Sequence, residues 1–164
     1  MKKLFLIRHA HAEKFSESNK DIDRKLTSEG MKTASLLGKY LNDEGVKPDR
    51  IISSFAQRAQ LTSELVASQL DYEFEAIQEK EGLYESSVRE FVDFLCQLEN
   101  EDSIVIIIGH NPAITYAADY LSDADISGMS PGSVVQINFR IENWSELVKG
   151  PGEYINYYEL PGAS

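Results

Sequence analysis

Arg8-His9, Arg58 and Gly109-His110-Asn111 are the groups in this chain best suited to handling an anion. A guanidinium offers a planar fork of donors that matches phosphate oxygens two at a time. An imidazole is the one ordinary side chain that is neutral or charged near pH 7 according to its surroundings. The chain has three histidines, and two of them follow apolar runs: residues 4–7 lead into Arg8-His9, and residues 104–108 lead into Gly109-His110. A shorter pair, Ile51-Ile52, leads into Ser53-Ser54 and then Arg58. Each group alone has an ordinary reading. A histidine beside an apolar strand is often a satisfied core residue, and Arg8 and Arg58 could form structural salt bridges with some of the 27 acidic side chains. Their shared placement after apolar runs favours a common anion pocket, because arginine is seldom buried without an anionic partner.

The elements that must position these groups are legible in the same runs. Leu4-Phe5-Leu6-Ile7 and Ile104-Val105-Ile106-Ile107-Ile108 are unbroken apolar stretches, the pattern of strands buried on both faces of a parallel sheet. Ile51-Ile52 is read as a third strand. Between them lie helical patterns. Thr27 is placed to cap a helix whose inner face is Ala34, Leu37, Gly38 and Leu41, stopped at Gly45. Ser54 is read as the cap of a second, with Leu61, Leu65, Val66 and Leu70 inward. Val88, Phe91, Val92 and Leu95 mark a third. Asn111 as cap with Pro112 at the first helical position opens a fourth, burying Ile114, Ala117, Ala118 and Leu121. Near the C-terminus Val135, Ile137, Phe139 and Ile141 alternate with polar residues, and residues 154–158 form a second aromatic-rich stretch after Lys149-Gly150-Pro151-Gly152. That suggests an antiparallel pair at one side of the sheet. Tyr157, Tyr158 and Trp144 are read as packing residues.

The predicted order is β-α-β-α-(short β)-α-β-α-β-β. It implies one domain over residues 1–164, a three-layer α/β/α sandwich with a mostly parallel central sheet and an antiparallel C-terminal part. In a parallel sheet the carboxyl ends of the strands share one edge, where ligands bind. Residues a hundred positions apart would meet there, and helix N-termini aimed at that edge favour an anion.

Composition narrows the function further. The net charge of −11 disfavours nucleic acid and anionic membrane surfaces as partners. Cys96 is the single cysteine and lies in a helical apolar pattern, so it is read as a packing residue. No carboxylate–histidine set has metal-ligand spacing, and no metal or cofactor is expected. The opening apolar run ends at Arg8, too short for a secretory core, so a cytoplasmic location is expected.

At this point four stretches carry a resemblance. Leu4-Phe5-Leu6-Ile7-Arg8-His9-Ala10 resembles a strand followed by an Arg-His-Gly signature, with Ala10 in place of glycine. Asp21-Ile22-Asp23-Arg24-Lys25-Leu26-Thr27-Ser28-Glu29-Gly30 matches an Asp-Arg-x-Leu-Thr-x-x-Gly pattern. Ser54-Phe55-Ala56-Gln57-Arg58-Ala59-Gln60-Leu61-Thr62 matches Ser-Pro-x-x-Arg-Ala-x-x-Thr, with Phe55 replacing proline. Ile108-Gly109-His110-Asn111-Pro112 matches Val-Gly-His-Asn-Pro. In this order and spacing, over most of residues 1–122, they resemble the histidine phosphatase superfamily, of phosphoglycerate-mutase-like fold, in its SixA-like phosphohistidine phosphatase branch.

The resemblance implies specific roles. His9 would be the nucleophile that carries a transient phosphoryl group, and Arg8, Arg58 and His110 would bind its non-bridging oxygens. A neutral imidazole with one nitrogen fixed suits the first role, and preorganised donors suit the second. A leaving-group acid in a Leu-x-Glu motif would correspond to Glu85, with Glu81 as second candidate; both could equally be solvated acids before a helix. His11 is expected at the rim, and Arg24 in a salt bridge with Asp21 or Asp23. The polar loop 13–20 would border a shallow, open pocket, since no long insertion supplies a lid. The implied reaction is removal of a phosphoryl group from protein phosphohistidine, with a phosphotransfer domain, or else a small phosphorylated substrate, as partner; the sequence does not fix the oligomeric state, and a monomer is expected. Hydrolysis of a small phosphomonoester is the alternative, and a non-catalytic phosphate-binding module a third.

Overall fold

A computed structural model describes residues 1–162. Six strands form one sheet: β1 (Lys2–Arg8), β2 (Arg50–Ser53), β3 (Gln78–Glu79), β4 (Ile104–Gly109), β5 (Val134–Phe139) and β6 (Glu153–Tyr158). They lie in the order β3-β2-β4-β1-β5-β6. The pairs β3–β2, β2–β4 and β4–β1 are parallel, and β5 is antiparallel to both β1 and β6. Four helices flank the sheet: α1 (Ser28–Asp43), α2 (Gln57–Gln69), α3 (Val88–Cys96) and α4 (Ala113–Leu121). Among the described residues no helix is long and apolar enough to cross a membrane.

The unbroken apolar runs are explained by burial on both faces. In β1, Phe5 and Ile7 pack with Leu37 and Leu41 of α1 and Val66 of α2, while Leu4 and Leu6 join Phe91 and Leu95 of α3 and Ile114 of α4. β4 splits the same way, Ile106 and Ile108 toward one layer and Val105 and Ile107 toward the other. Successive strand side chains point to opposite faces, so a strand between two helical layers must be apolar at every position. The result is the expected three-layer sandwich. Trp144 is fully buried and Tyr157 packs against the same core, Tyr158 against the other, as packing residues.

Helix starts follow the sequence in part. Thr27 caps α1, its Oγ1 accepting from the Gly30 amide at 3.0 Å, and Gly45 follows the helix at φ 77°. Ser54 does not cap α2. The cap position is Ala56, because the Ser54 hydroxyl is turned to His110 and to the Ala56 amide and the chain bends at residues 55–56 before the helix begins at Gln57. Nor does Asn111 cap α4. Pro112 occupies that position, while the Asn111 amide donates to the Met129 carbonyl and accepts from the Thr115 hydroxyl.

The inner face of α2 is also rotated from expectation. Arg58, Ala59, Thr62, Ser63, Val66 and Ala67 are buried, whereas Leu61, Leu65 and Leu70 are only partly so. α1 and α2 pack closely: a Cβ added at Gly38 would lie 3.0 Å from the Val66 Cα. Small residues must therefore line the contact, and Leu61 and Leu65 cover Ala10, Leu26 and Ala34 instead.

Candidate active site

Register brings the chemistry-bearing residues level. In the parallel ladders Arg8 pairs with Gly109, and Ser53 with Ile108. The His9 amide then donates to the Gly109 carbonyl at 3.1 Å, and the Ser54 amide to the Ile108 carbonyl at 3.1 Å. The chain thus leaves three adjacent strands, β2, β4 and β1, at one height, with Ser54, His110 and His9 side by side. The ring centroids of His9 and His110 are 5.0 Å apart. Gly132, at φ 75°, braces the turn after β1, its amide reaching the carbonyls of Arg8 (3.0 Å) and His9 (3.2 Å). A side chain there would meet the left-handed penalty and a Thr33 methyl 2.6 Å away.

His9 is half-buried, and its Nδ1 lies 2.8 Å from the Ala10 carbonyl oxygen. A carbonyl can only accept, so Nδ1 carries the hydrogen and Nε2 keeps its lone pair. Burial, opposed by this hydrogen bond and reinforced by His110, Arg58 and Arg8, pushes the His9 pKa down to about 3. The ring is neutral at pH 7, the state an imidazole needs to act as a nucleophile.

His110 is buried, and burial with the nearby Arg58 lowers its pKa to about 4. Its Nε2 is 2.7 Å from the Ser54 hydroxyl, while its buried Nδ1 has no partner among the described residues. Arg8 donates from Nη1 to the Met129 carbonyl at 2.8 Å and leaves its buried Nε unpartnered. Burial lowers its pKa too, yet a guanidinium stays charged. Donors of this kind, held in place and not consumed by the protein, are suited to stabilising charge on phosphoryl oxygens.

Arg58 projects from the first turn of α2 and is buried. It donates to Asp21 twice, from Nη1 to the carbonyl at 2.8 Å and from Nη2 to Oδ2 at 2.9 Å. Arg24 holds Oδ1 of the same carboxylate at 2.8 Å, so the expected Arg24 ion pair forms with Asp21. The Tyr84 hydroxyl donates to Oδ2 as well. Tyr84 and the two arginines hold the Asp21 carboxyl well below the usual carboxylate range. The Tyr84 ring stands edge-on to His110 at 5.5 Å and near the Arg58 guanidinium at 5.9 Å.

The structure therefore brings together His9, His110, Arg8 and Arg58 and adds Asp21, Tyr84 and Ser54. Glu85 is exposed, as is Glu81, and neither has a hydrogen bond or ion pair to these groups among the described residues. His11 is exposed, with Nδ1 3.1 Å from the Thr27 hydroxyl. The two departures from the motif sit in packing positions: Ala10 is fully buried and Phe55 stands edge-on to Tyr84 at 5.6 Å. Asp21 and Tyr84 both lie inside the motif stretches, but as a possible partner of Arg24 and as the residue before Glu85.

The sequence profile of the histidine phosphatase superfamily (branch 1) matches residues 4–92. The chain belongs to that superfamily. A mitochondrial serine/threonine-protein phosphatase Pgam5 of Drosophila sechellia is 35% identical over 74 residues, covering 45% of this chain and 25% of that protein. The chain thus matches only about a quarter of the length of that relative. An uncharacterised chloroplast protein of Arabidopsis thaliana is 27% identical over 164 residues, covering 92% of this chain and 73% of its own. The solved structure of the protein histidine phosphatase SixA complexed with tungstate superposes with a TM-score of 0.82 at 21% identity, over 96% of each chain. That likeness establishes the superfamily's fold for this chain.

Proposed function

We propose that this histidine phosphatase superfamily member removes a phosphoryl group from protein phosphohistidine, with residues 1–164 acting as one catalytic domain. The observation that carries the reading is the His9 ring, fixed through Nδ1 by the Ala10 carbonyl and set 5.0 Å from His110, with Arg58 and Arg8 near enough to disfavour its charged form. Nε2 of His9 attacks phosphorus, the bond to the leaving group breaks, and His9 becomes a phosphoimidazolium. Arg8, Arg58 and His110 donate to the non-bridging oxygens, where transition-state charge spreads. Water then displaces the His9 nitrogen from phosphorus and releases inorganic phosphate.

Two features support a protein phosphohistidine substrate. The fold superposes on the protein histidine phosphatase SixA with a TM-score of 0.82. Among the described residues the one carboxylate held against Arg58, that of Asp21, is kept ionised and is a poor source of a proton for an ester oxygen.

Hydrolysis of phosphoesters is the second reading, favoured by the serine/threonine-protein phosphatase relative. In that case Glu85 would swing in as the acid. The two are separated by incubating the protein with a phosphohistidine-bearing phosphotransfer domain and with an aryl phosphate, then quenching to trap phosphorylated enzyme. Phosphate release from the first substrate, with label on His9 and none in His9→Ala, is expected. Release from neither, with His9 never labelled, refutes both readings.

A further inference from the structure

Asp21 is an acid placed against the guanidinium meant for a phosphoryl group. It belongs to a loop closed by a bridge between Ala12 and Leu26, and sits in the 3₁₀ turn Asp21–Asp23. Its side chain is 50% exposed, whereas that of Arg58 beneath it is 8% exposed. Asp21 is thus the outer member of the cluster, on the side from which a substrate held by buried Arg58 must enter and depart. A carboxylate offers about four acceptor positions. Arg58 and Tyr84 take two at Oδ2 and Arg24 takes one at Oδ1, which leaves Oδ1 free to accept once more.

What such an acceptor can do depends on the leaving group. When a P–N bond of phosphohistidine breaks, the electron pair goes to the ring nitrogen. A hydrogen on the distal nitrogen makes the phosphorylated ring a cation and lets it depart as neutral imidazole, and a carboxylate accepting from that N–H keeps the distal proton in place while the bond breaks. For an oxygen leaving group the same carboxylate is adverse, since it has no proton to give and repels developing negative charge.

We infer that Asp21 accepts the distal N–H of the departing imidazole and thereby selects P–N over P–O substrates. The inference rests on the phosphohistidine reading above and names how that site discriminates. The phosphoryl group passes to Nε2 of His9, the P–N bond gives its pair to the substrate ring, and the distal proton stays on that ring throughout.

The test compares kcat/KM for phosphoimidazole and for an aryl phosphate in wild type, Asp21→Asn and Asp21→Glu. Loss of a charge-assisted hydrogen bond predicts that the phosphoimidazole-to-aryl ratio falls about 10- to 100-fold in Asp21→Asn, because kcat/KM for phosphoimidazole drops by that much more than kcat/KM for the aryl phosphate. Asp21→Glu, which keeps the charge, restores part of the ratio. If Asp21 only positions Arg58, both substrates suffer equally and the ratio stays fixed; that result, or no change at all, overturns the inference while leaving the phosphatase reading intact. Wild type that cleaves only the ester refutes the phosphohistidine reading and this inference together. Wild type that cleaves neither refutes the phosphatase reading itself.

Discussion

The hydroxyl of Ser54 lies 2.7 Å from Nε2 of His110 and also accepts from the Ala56 amide at 3.3 Å. One of its two lone pairs is engaged by the backbone, and the hydroxyl proton is free to turn to Nε2. His110 then carries its own hydrogen on Nδ1, the nitrogen left without a protein partner. With Ser54 donating, His110 is held neutral with its remaining N–H on Nδ1. Ser54→Ala is expected to release the tautomer and ring orientation and to lower kcat by about tenfold or more, the cost of one buried hydrogen bond. Nitrogen-15 chemical shifts of the His110 ring check it: they should report Nδ1–H in wild type and a mixture in the variant.

Acid should weaken this protein through the same two rings. An unfolded histidine titrates near about 6.5, while His110 and His9 in the fold resist protonation to about 4 and about 3. Between those limits the unfolded chain binds more protons, so stability rises with pH. Their contribution is complete above about pH 6.5 and is lost as pH falls toward the folded values. The depressed Asp21 carboxyl acts in the same sense, losing its contribution as pH drops below the carboxylate range. Urea midpoints measured from pH 7 to pH 4 should fall steadily, and a His9→Asn/His110→Asn variant should show a flatter dependence.

Much of this was legible because burial on both faces leaves an unmistakable trace. A run such as Ile104-Val105-Ile106-Ile107-Ile108 has few other uses, and the strand ends it defines led directly to His9 and His110. The cap residues were misread for a physical reason. Ser54 and Asn111 are as able to bond a neighbouring segment as their own helix, and only the tertiary fold decides between the two. In α2 the periodic leucines suggested the inner face, but close packing on α1 demanded small side chains there. Asp21 and Tyr84 were hidden because a polar loop residue and an aromatic carry no local mark of a buried partner 37 and 26 positions away, at Arg58 and His110. In the Leu83-Tyr84-Glu85 stretch the aromatic stands edge-on to His110 and bonds Asp21, while the Glu85 side chain is exposed.

Arg58→Lys keeps the charge and loses the fork. The native guanidinium spans the Asp21 carbonyl and carboxylate at 2.8 and 2.9 Å while keeping further N–H groups for a ligand. An ammonium on a flexible stem cannot hold both and serve a phosphoryl group. Turnover of an aryl phosphate should fall about 100- to 1,000-fold, with weaker competitive inhibition by tungstate. Arg24→Ala removes only an outer, partly exposed contact to Asp21 and should cost far less. Equal losses in the two variants would place the arginines on the same footing and contradict the assignment of Arg58 to the pocket.

Trp144 offers the converse test, a change in stability with no change in chemistry. It is fully buried, and its Nε1 donates to the Asp102 carbonyl at 2.8 Å. Asp102 precedes β4 while His110 follows it, so the six-residue strand sets the two about 20 Å apart. Trp144→Ala should remove about 3–5 kcal/mol of stability by leaving a large cavity. Trp144→Phe fills most of that space and loses the indole donor, and should cost about 1–3 kcal/mol. Both are read from circular dichroism in urea, since no other tryptophan remains to report by fluorescence. The Phe variant, assayed well below its midpoint, should keep wild-type kcat/KM on an aryl phosphate. A drop in its turnover at full folding would mean that the two edges of the sheet are coupled and that the pocket is not built by the strand ends alone.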